Sequence, residues 1–323
     1  LAQQGIAVGV CSVKGKRPYM EDEYRVLAHL ETTPGAGAWG LDEGGDGRGA
    51  GGGGGLRTAF FGVFDGHAGG RCSRALTQTL AQCVARDPEF QRGGDLSTAI
   101  ARGFARANAD FLRKAERFNA NDGSTAVTAF LRGRTLTVAN VGDSRAVLVC
   151  AGGRVVALSF DHKPNRPEER RRIQACGGRV IFSFGVPRVN GILAVSRAFG
   201  DRNMRGAINA EPELQVRNLE VGDKFLILAT DGVWDVVSSA ECAAMAHQCV
   251  LQQGMTPQQC SAVLVSVAMQ RGSLDNATAL VVDLRGIWGA SAAAAAAAGD
   301  GGALPTATSA AAAPLLLQRQ LSA

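Results

Sequence analysis

The sequence lacks the patterns that mark several classes of binding protein. Its eight cysteines form no C-x-x-C pair, so we expect buried free thiols rather than a zinc site. No dense run of Lys and Arg alternates with aromatic residues, which argues against a nucleic-acid partner despite a formal net charge of +5. No apolar run approaches the ~20 residues of a membrane span, and no P-loop motif is present.

What is present is the composition of a globular protein. Of its 323 residues, 46% are hydrophobic and 20% are charged, which is enough to form a core. Buried thiols suit a reducing compartment, so we expect an intracellular protein, cytoplasmic or nuclear. A monomer is expected, although nothing in the sequence fixes the oligomeric state. The sequence begins with Leu1, so organellar targeting by an upstream segment stays open.

Two low-complexity segments shape the expected domain organisation. Residues 34–55 are packed with glycine, and we expect them to form a disordered surface insertion. Residues 286–323 form a tail rich in Ala and Gly, without an amphipathic face that could dock. The rest of residues 1–285 is predicted to fold as one domain.

Strand and helix patterns occur in groups within this domain. Strands are expected at 125–131, 136–141 and 145–150, and their short connections predict antiparallel neighbours. Further strands are expected at 6–10, 59–64, 224–230 and 277–284, and helices around 76–84, 100–111 and 167–176 and after Ser238 and Thr256. Runs of strands with paired helices predict antiparallel sheets covered by helices, rather than alternating βαβ units.

Acidic residues stand at the ends of the apolar strands. Asp65 and Asp231 each follow a buried run directly, and each precedes a glycine that allows a tight turn. Asp275 precedes the last strand, Asp143 lies between two strands, and Glu21-Asp22 follow the first strand. One such acid is usually a turn residue, but five sites in one domain suggest that the side chains converge.

Converging carboxylates need neutralisation. Two of them ~4 Å apart repel by about 4 kcal/mol at an effective dielectric constant of ~20, so protons or cations must offset their charge. Ligand sets made only of oxygen select hard ions such as Mg²⁺ or Mn²⁺. Arg17 lies four residues before Glu21, and a guanidinium group can bind phosphate in bidentate fashion.

Eight stretches of the chain match, in order, the motifs of a known family. They are GKRPYMED (15–22), VFDGHAG (63–69), DGSTA (122–126), ANVGDSR (139–145), DHKP (161–164), LAVSRAFGD (193–201), ATDGVWD (229–235) and DN (275–276). Over roughly residues 8–285, the chain resembles a plant or algal member of the protein phosphatase 2C family of metal-dependent serine/threonine phosphatases. Residues 1–285 would then be the catalytic domain.

The resemblance implies a fold and a set of roles. The fold would be α+β, a four-layer α-β-β-α sandwich of two central antiparallel sheets flanked by helices. Asp65 would bridge two Mg²⁺ or Mn²⁺ ions, Arg17 would hold the phosphate, and His67 would be the general acid. The implied metal ligands are Asp65, the carbonyl of Gly66, Asp231, Asp275, Glu21 and Asp22 acting largely through water, and Asp143 at a weaker third position.

The implied activity is hydrolysis of phosphoserine and phosphothreonine in phosphoprotein substrates, as part of signal transduction. A water bridging the two ions would attack the phosphorus directly. Two alternatives stay open: a catalytically dead regulatory member, and a two-metal hydrolase of nucleotides or small phosphoesters. The first is disfavoured because every expected ligand is present, and the second because no base-binding motif appears. The variable flap, residues 178–188, has no tryptophan, so a hormone co-receptor role is not expected.

Overall fold

Two five-stranded antiparallel sheets form the centre of the computed structural model, which describes residues 1, 5–30 and 57–288. From edge to edge, the first sheet contains β1 (Ala7–Val13), β15 (Ala277–Asp283), β14 (Asp223–Ala229), β8 (Arg145–Cys150) and β9 (Val155–Ala157). The second contains β13 (Glu213–Asn218), β7 (Thr135–Val141), β6 (Ala126–Arg132), β3 (Thr58–Phe64) and β2 (Glu23–Leu27). The predicted insertion at 34–55 lies outside the described residues, and so does the predicted tail 286–323 from residue 289 onward. Its first three residues belong to a 3-10 turn (Arg285–Trp288) in which Ile287 and Trp288 pack against the core, while the domain division stays a prediction.

Two smaller β structures complete the strands. A three-stranded sheet joins β4 (Gly66–His67), β5 (Gly123–Ser124) and β12 (Phe199–Gly200). A separate hairpin pairs β10 (Val180–Ser183) with β11 (Val186–Val189) and contains most of the predicted flap.

Helices lie on the outer faces of both large sheets. The helices are α1 (Arg71–Ala85), α2 (Pro88–Gln91), α3 (Leu96–Arg117), α4 (Pro167–Ala175), α5 (Asp231–Trp234), α6 (Ser239–Ala246) and α7 (Pro257–Gln270), with a π-helical turn (His247–Gln252) after α6. Of these, α4 packs against the β10–β11 hairpin instead of a large sheet. Ser238 and Thr256 form the two capping boxes that their spacing predicts, with Glu241 and Gln259 respectively. Within the described ranges, none of the helices combines the length and apolarity of a membrane span.

Strand β3 shows why the core has more than one layer. All seven of its residues are buried, because both faces of the strand are covered. Phe60 and Phe64 pack with α1 and α3, whereas Phe61 and Val63 point to the other side and pack against the first sheet. A third cluster places α6 and α7 on the outer face of the first sheet. The predicted four-layer α-β-β-α arrangement is confirmed.

One predicted strand pairing is wrong. The short connection at 142–144 suggested that β7 and β8 are antiparallel neighbours, but β7 belongs to the second sheet and β8 to the first. Gly142 adopts a φ of 108°, and the contact its Cβ would make with Thr125 at 2.5 Å leaves no room for a side chain. The chain therefore crosses between the sheets here, and Asp143 lies at the crossing.

Candidate active site

Three acids predicted from the sequence meet at one end of the two sheets. Asp65 directly follows β3 of the second sheet, Asp231 follows β14 of the first sheet after Thr230, and Asp143 lies where the chain crosses between them. Side-chain oxygens of these three residues all lie within 4.8 Å of one another. The predicted convergence of the strand-end acids is confirmed for this trio.

The cluster is poorly suited to bare negative charge. Burial, followed by the charges of Asp231, Asp22 and Asp143, raises the pKa of Asp65 well above its usual value. Burial and the charges of Asp143 and Asp235 likewise raise the pKa of Asp231. A bound cation would remove this penalty, so the cluster fits a hard metal ion.

Asp22 adds a fourth acid with an unused oxygen. Its Oδ2 accepts hydrogen bonds from the hydroxyls of Thr230 (3.0 Å) and Thr278 (2.7 Å). Its buried Oδ1 has no hydrogen-bond partner among the described residues. Burial raises the pKa of Asp22 to about 7, although the two hydroxyls oppose the shift. An orphaned buried carboxylate oxygen is the kind of group that a metal ion or its water would satisfy.

The first predicted ligand segment is anchored by Asn276. Its amide donates to the carbonyls of Lys14 (2.7 Å) and Tyr19 (3.0 Å), and its Oδ1 accepts from the backbone N–H of Glu21 (2.8 Å). This fixes the chain around Glu21 beside Gly66, where an added Cβ would lie 2.5 Å from the Glu21 carbonyl oxygen. A glycine is therefore required at position 66 by close packing.

Asp275 and Arg17 form a pair at the edge of the cluster. The Arg17 guanidinium donates to Asp275 Oδ2 at 2.6 Å, and the Arg17 side chain is 55% exposed. Asp275 also contributes, by its charge, to the raised pKa values of Asp65 and Asp231. Asp275 is thus close enough to act on the trio electrostatically, although its oxygens are not among the three that meet within 4.8 Å.

The loop that carries Asp143 is held from two sides. Lys163 donates to its carboxylate. His162 Nδ1 accepts from the backbone N–H of Gly142 at 3.1 Å, and its Nε2 lies 3.1 Å from Glu213. Burial and the charge of Arg197 lower the pKa of His162 to about 4. A neutral ring can accept at Nδ1 while donating at Nε2, as this arrangement requires.

His67 faces the acids from β4. Its Nε2 lies 2.8 Å from Oδ2 of the buried Asp201. Burial lowers the pKa of His67, but the hydrogen bond and charge of Asp201 and the charges of Asp143 and Glu21 outweigh burial, so the net shift is upward. The imidazolium form, which can donate a proton, is favoured.

The sequence alone did not predict a role for three residues that contact site residues or shift their pKa values. Asp201 contacts His67, Lys163 contacts Asp143, and Asp235 raises the pKa of Asp231 by its charge. Each lies inside a stretch that matched the family motifs, at 193–201, 161–164 and 229–235. Their motif membership was the available signal. The partners of Asp201 and Lys163 lie 134 and 20 residues away, whereas Asp235 lies one helical turn after Asp231.

Comparison with known proteins agrees with this geometry. The family model for protein phosphatase 2C matches residues 7–277. The chain belongs to that family. It is 41% identical over 283 residues to probable protein phosphatase 2C 59 of Arabidopsis thaliana, covering 87% of this chain and 81% of that protein. As a member of the protein phosphatase 2C family, the chain is a protein serine/threonine phosphatase.

Two further comparisons bear on the protein phosphatase 2C assignment. The chain is 38% identical to probable protein phosphatase 2C 52 of Oryza sativa subsp. japonica over 86% of this chain, but spans only 50% of that longer protein. The crystal structure of serine-threonine phosphatase 2C from Toxoplasma gondii matches with a TM-score of 0.72 and 26% identity, over 86% of this chain and 94% of that one. The fold and the enzyme class both follow the family.

Proposed function

We propose that this phosphatase hydrolyses phosphoserine and phosphothreonine in proteins with two Mg²⁺ or Mn²⁺ ions held by its acidic cluster. The observation that carries the proposal is the meeting of Asp65, Asp143 and Asp231 within 4.8 Å, from both sheets and the crossing between them. Oxygen ligands of this kind favour hard divalent ions. The raised pKa values of Asp65 and Asp231 mean that their negative charges are unfavourable without a neighbouring cation, so binding of such an ion would stabilise them.

The proposed ligands extend beyond that trio. Asp65 would be shared by both ions, while Asp22 offers its orphaned Oδ1 and Asp143 a weaker third position. The complete proposed set is Asp65, the Gly66 carbonyl, Asp231, Asp275, Glu21, Asp22 and Asp143. Ions held by these residues would supply a water of lowered pKa and would offset the charge of the phosphate.

Two side chains would handle the substrate. Arg17 is exposed and already bonded to Asp275, so its remaining N–H groups can bind the phosphate oxygens beside the cluster. His67 would donate a proton to the departing serine or threonine oxygen, which is otherwise a strongly basic alkoxide. The phosphate would pass directly to water, with no phosphorylated residue on the chain, and dephosphorylation of signalling proteins is the proposed setting.

Metal dependence tests the proposal. Chelator-treated protein should hydrolyse a phosphothreonine peptide and p-nitrophenyl phosphate only after Mn²⁺ or Mg²⁺ is added, and EDTA should abolish both activities. Absence of hydrolysis with both metals would favour the regulatory alternative. Hydrolysis of nucleotides without hydrolysis of the peptide would favour the hydrolase of small phosphoesters.

Ligand variants locate the ions. Asp65→Asn and Asp231→Asn should each lower kcat by about 10³-fold or more, because bound ions supply several kcal/mol of charge stabilisation. Each variant should also lose the rise in melting temperature that Mn²⁺ gives the wild type. Asp110→Asn, the same change at an exposed position on α3, is the control. Near-normal turnover in either ligand variant would contradict the assignment.

A further inference from the structure

The His67–Asp201 contact has no part in the metal cluster. It joins positions 134 residues apart, between β4 and the residue after β12. Resting on the proposed function, we propose that Asp201 is a positioning residue that holds the His67 ring by Nε2, so that Nδ1 is the atom that delivers the proton to the leaving oxygen. The proton moves from Nδ1 to the serine or threonine oxygen as its bond to phosphorus breaks.

The assignment of Nδ1 follows from the contact itself. The carboxylate of Asp201 can only accept, so the 2.8 Å contact requires a proton on Nε2 of His67. That proton stays on Nε2, hydrogen-bonded to the Asp201 carboxylate, before and after the transfer. The second proton of the imidazolium is on Nδ1, and it is the one available to substrate. After transfer the ring is neutral, with Nε2–H still bonded to Asp201, and water restores the proton on Nδ1.

Asp201 is held firmly enough to orient the ring. It is 3% exposed, and its backbone N–H donates to the carbonyl of Asp122 at 3.2 Å. The preceding Gly200 donates its N–H to Asn108 Oδ1 of α3 at 2.9 Å. Asp201 itself adopts a left-handed backbone with a φ of 45°, which is uncommon for a residue other than glycine. The fold thus fixes the chain on both sides of the carboxylate.

Gly123 provides independent evidence that the fold makes room for this pair. In the small sheet, Gly123 of β5 lies opposite both His67 of β4 and Gly200 of β12. A Cβ at position 123 would lie 2.1 Å from His67 Nε2 and 2.3 Å from Asp201 Oδ2. Any side chain there would force the two groups apart. The three short strands therefore pack closely around the His67–Asp201 contact.

Leaving-group chemistry tests the proposal. Asp201→Ala should lower kcat on a phosphothreonine peptide by at least ~10-fold, because the departing alkoxide needs a proton. On p-nitrophenyl phosphate, whose leaving group is a stable anion, kcat should change less than about 3-fold. Asp87→Ala is the control, since Asp87 is another buried carboxylate, paired with Arg106, that lies outside the site. It should leave the ratio of the two rates unchanged. Equal losses on both substrates in Asp201→Ala would overturn the proposal.

A double-mutant cycle shows whether Asp201 acts through His67. The peptide rate of His67→Ala with Asp201→Ala should equal that of His67→Ala alone, whereas independent roles would make the two losses multiply and would overturn the proposal. If kcat falls selectively on the peptide in His67→Ala but not in Asp201→Ala, only the role of Asp201 is overturned. If kcat on the peptide does not fall in His67→Ala, the assignment of His67 as the acid is overturned as well. The metal-dependent hydrolysis is tested separately, by the chelation experiment.

A second variant guards against misfolding of Asp201→Ala. Gly123→Ala keeps both side chains but inserts a methyl group between them, and should reproduce the selective loss on the peptide. Retention of the Mn²⁺-induced rise in melting temperature would show that the metal cluster is intact. An unchanged ratio of peptide to p-nitrophenyl phosphate rates in folded Gly123→Ala would overturn the proposal.

Discussion

At the scale of single residues, neighbours decide what a buried acid does. Desolvation penalises the charged form of both Asp65 and Glu169, yet their pKa values move in opposite directions. Asp65 lies among other acids, which add to the effect of burial and raise its pKa. Glu169 is also penalised by burial, but hydrogen bonds from Arg197 and Arg172 overcome this and lower its pKa to about 2. The acids around Asp65 favour binding of a cation, whereas Glu169 is already paired with the guanidinium groups of Arg197 and Arg172.

Glu169 therefore gives a prediction about stability and pH. Its folded pKa lies below the unfolded value of 4.5, so its contribution is full above pH 4.5 and is lost as the pH falls towards 2. The shift corresponds to about 3 kcal/mol. Glu169→Gln should lower the free energy of unfolding at neutral pH, and the gap from wild type should narrow between pH 4.5 and 2. Urea unfolding measures this.

The exposed neighbour Glu168 supplies the control for that experiment. Glu168→Gln should have a small effect at every pH, because the Glu168 side chain is 47% exposed and its pair with Arg166 is screened by water. A gap between wild type and Glu169→Gln that stays constant with pH would show that Glu169 acts by packing rather than by charge.

Sequence reasoning found the acids but not their partners. Asp65 and Asp231 were recognisable because an acid that ends a fully apolar run is a local pattern. The partner of His67 was not, because a contact across 134 residues depends on how β4, β5 and β12 meet. The same holds for Lys163, whose contact with Asp143 joins positions 20 residues apart. Long-range contacts of this kind have no signature in spacing.

At the scale of elements, the β10–β11 hairpin departs from its local preference. Its two loop residues, Phe184 and Gly185, both have positive φ values, 50° and 80°. A two-residue loop of this type favours Asn-Gly, because a left-handed backbone crowds the Cβ of most residues. Phe184 is also 89% exposed. Neither burial nor backbone preference explains a phenylalanine here.

Replacing that phenylalanine should stabilise the hairpin. Phe184→Asn should raise the free energy of unfolding by about 1 kcal/mol, because Asn tolerates the left-handed region. Loss of the cation–π contact between the Phe184 ring and the Arg188 guanidinium, 5.7 Å from the ring centroid, would offset part of the gain. Phe182→Asn is the control, since Phe182 is exposed but lies in a strand, where Phe is favoured. Equal effects of the two changes on melting temperature would contradict this account.

Element prediction succeeded where the signal is local. Both capping boxes depend on residues within one helical turn, and both are present. The pairing of β7 with β8 failed because a short connection does not specify whether the next strand joins the same sheet. In a two-sheet sandwich, the choice depends on which core the next strand can fill.

At the scale of the whole molecule, the acidic cluster joins the two sheets. Asp65 comes from the second sheet, Asp231 from the first, and Asp143 from the crossing between them. Asp22 lies in the connection that leads from β1 in the first sheet to β2 in the second. Without cations, like charges accumulate at the end where the sheets meet. Cations bound there as proposed would attach the two sheets to each other at that end.

Metal binding should consequently protect both sheets together. At a free Mg²⁺ concentration of 100 times Kd, binding stabilises the folded state by about 2.7 kcal/mol against any opening that releases the ion. Since separating the sheets must release it, amide hydrogen exchange should slow at the cluster ends of β3 and β14 and in residues 14–22 alike. The exposed face of α3 should change little. Asp231→Asn should abolish the protection in all three segments at once. Protection confined to one sheet, or retained in Asp231→Asn, would mean that the ions do not bridge the sheets.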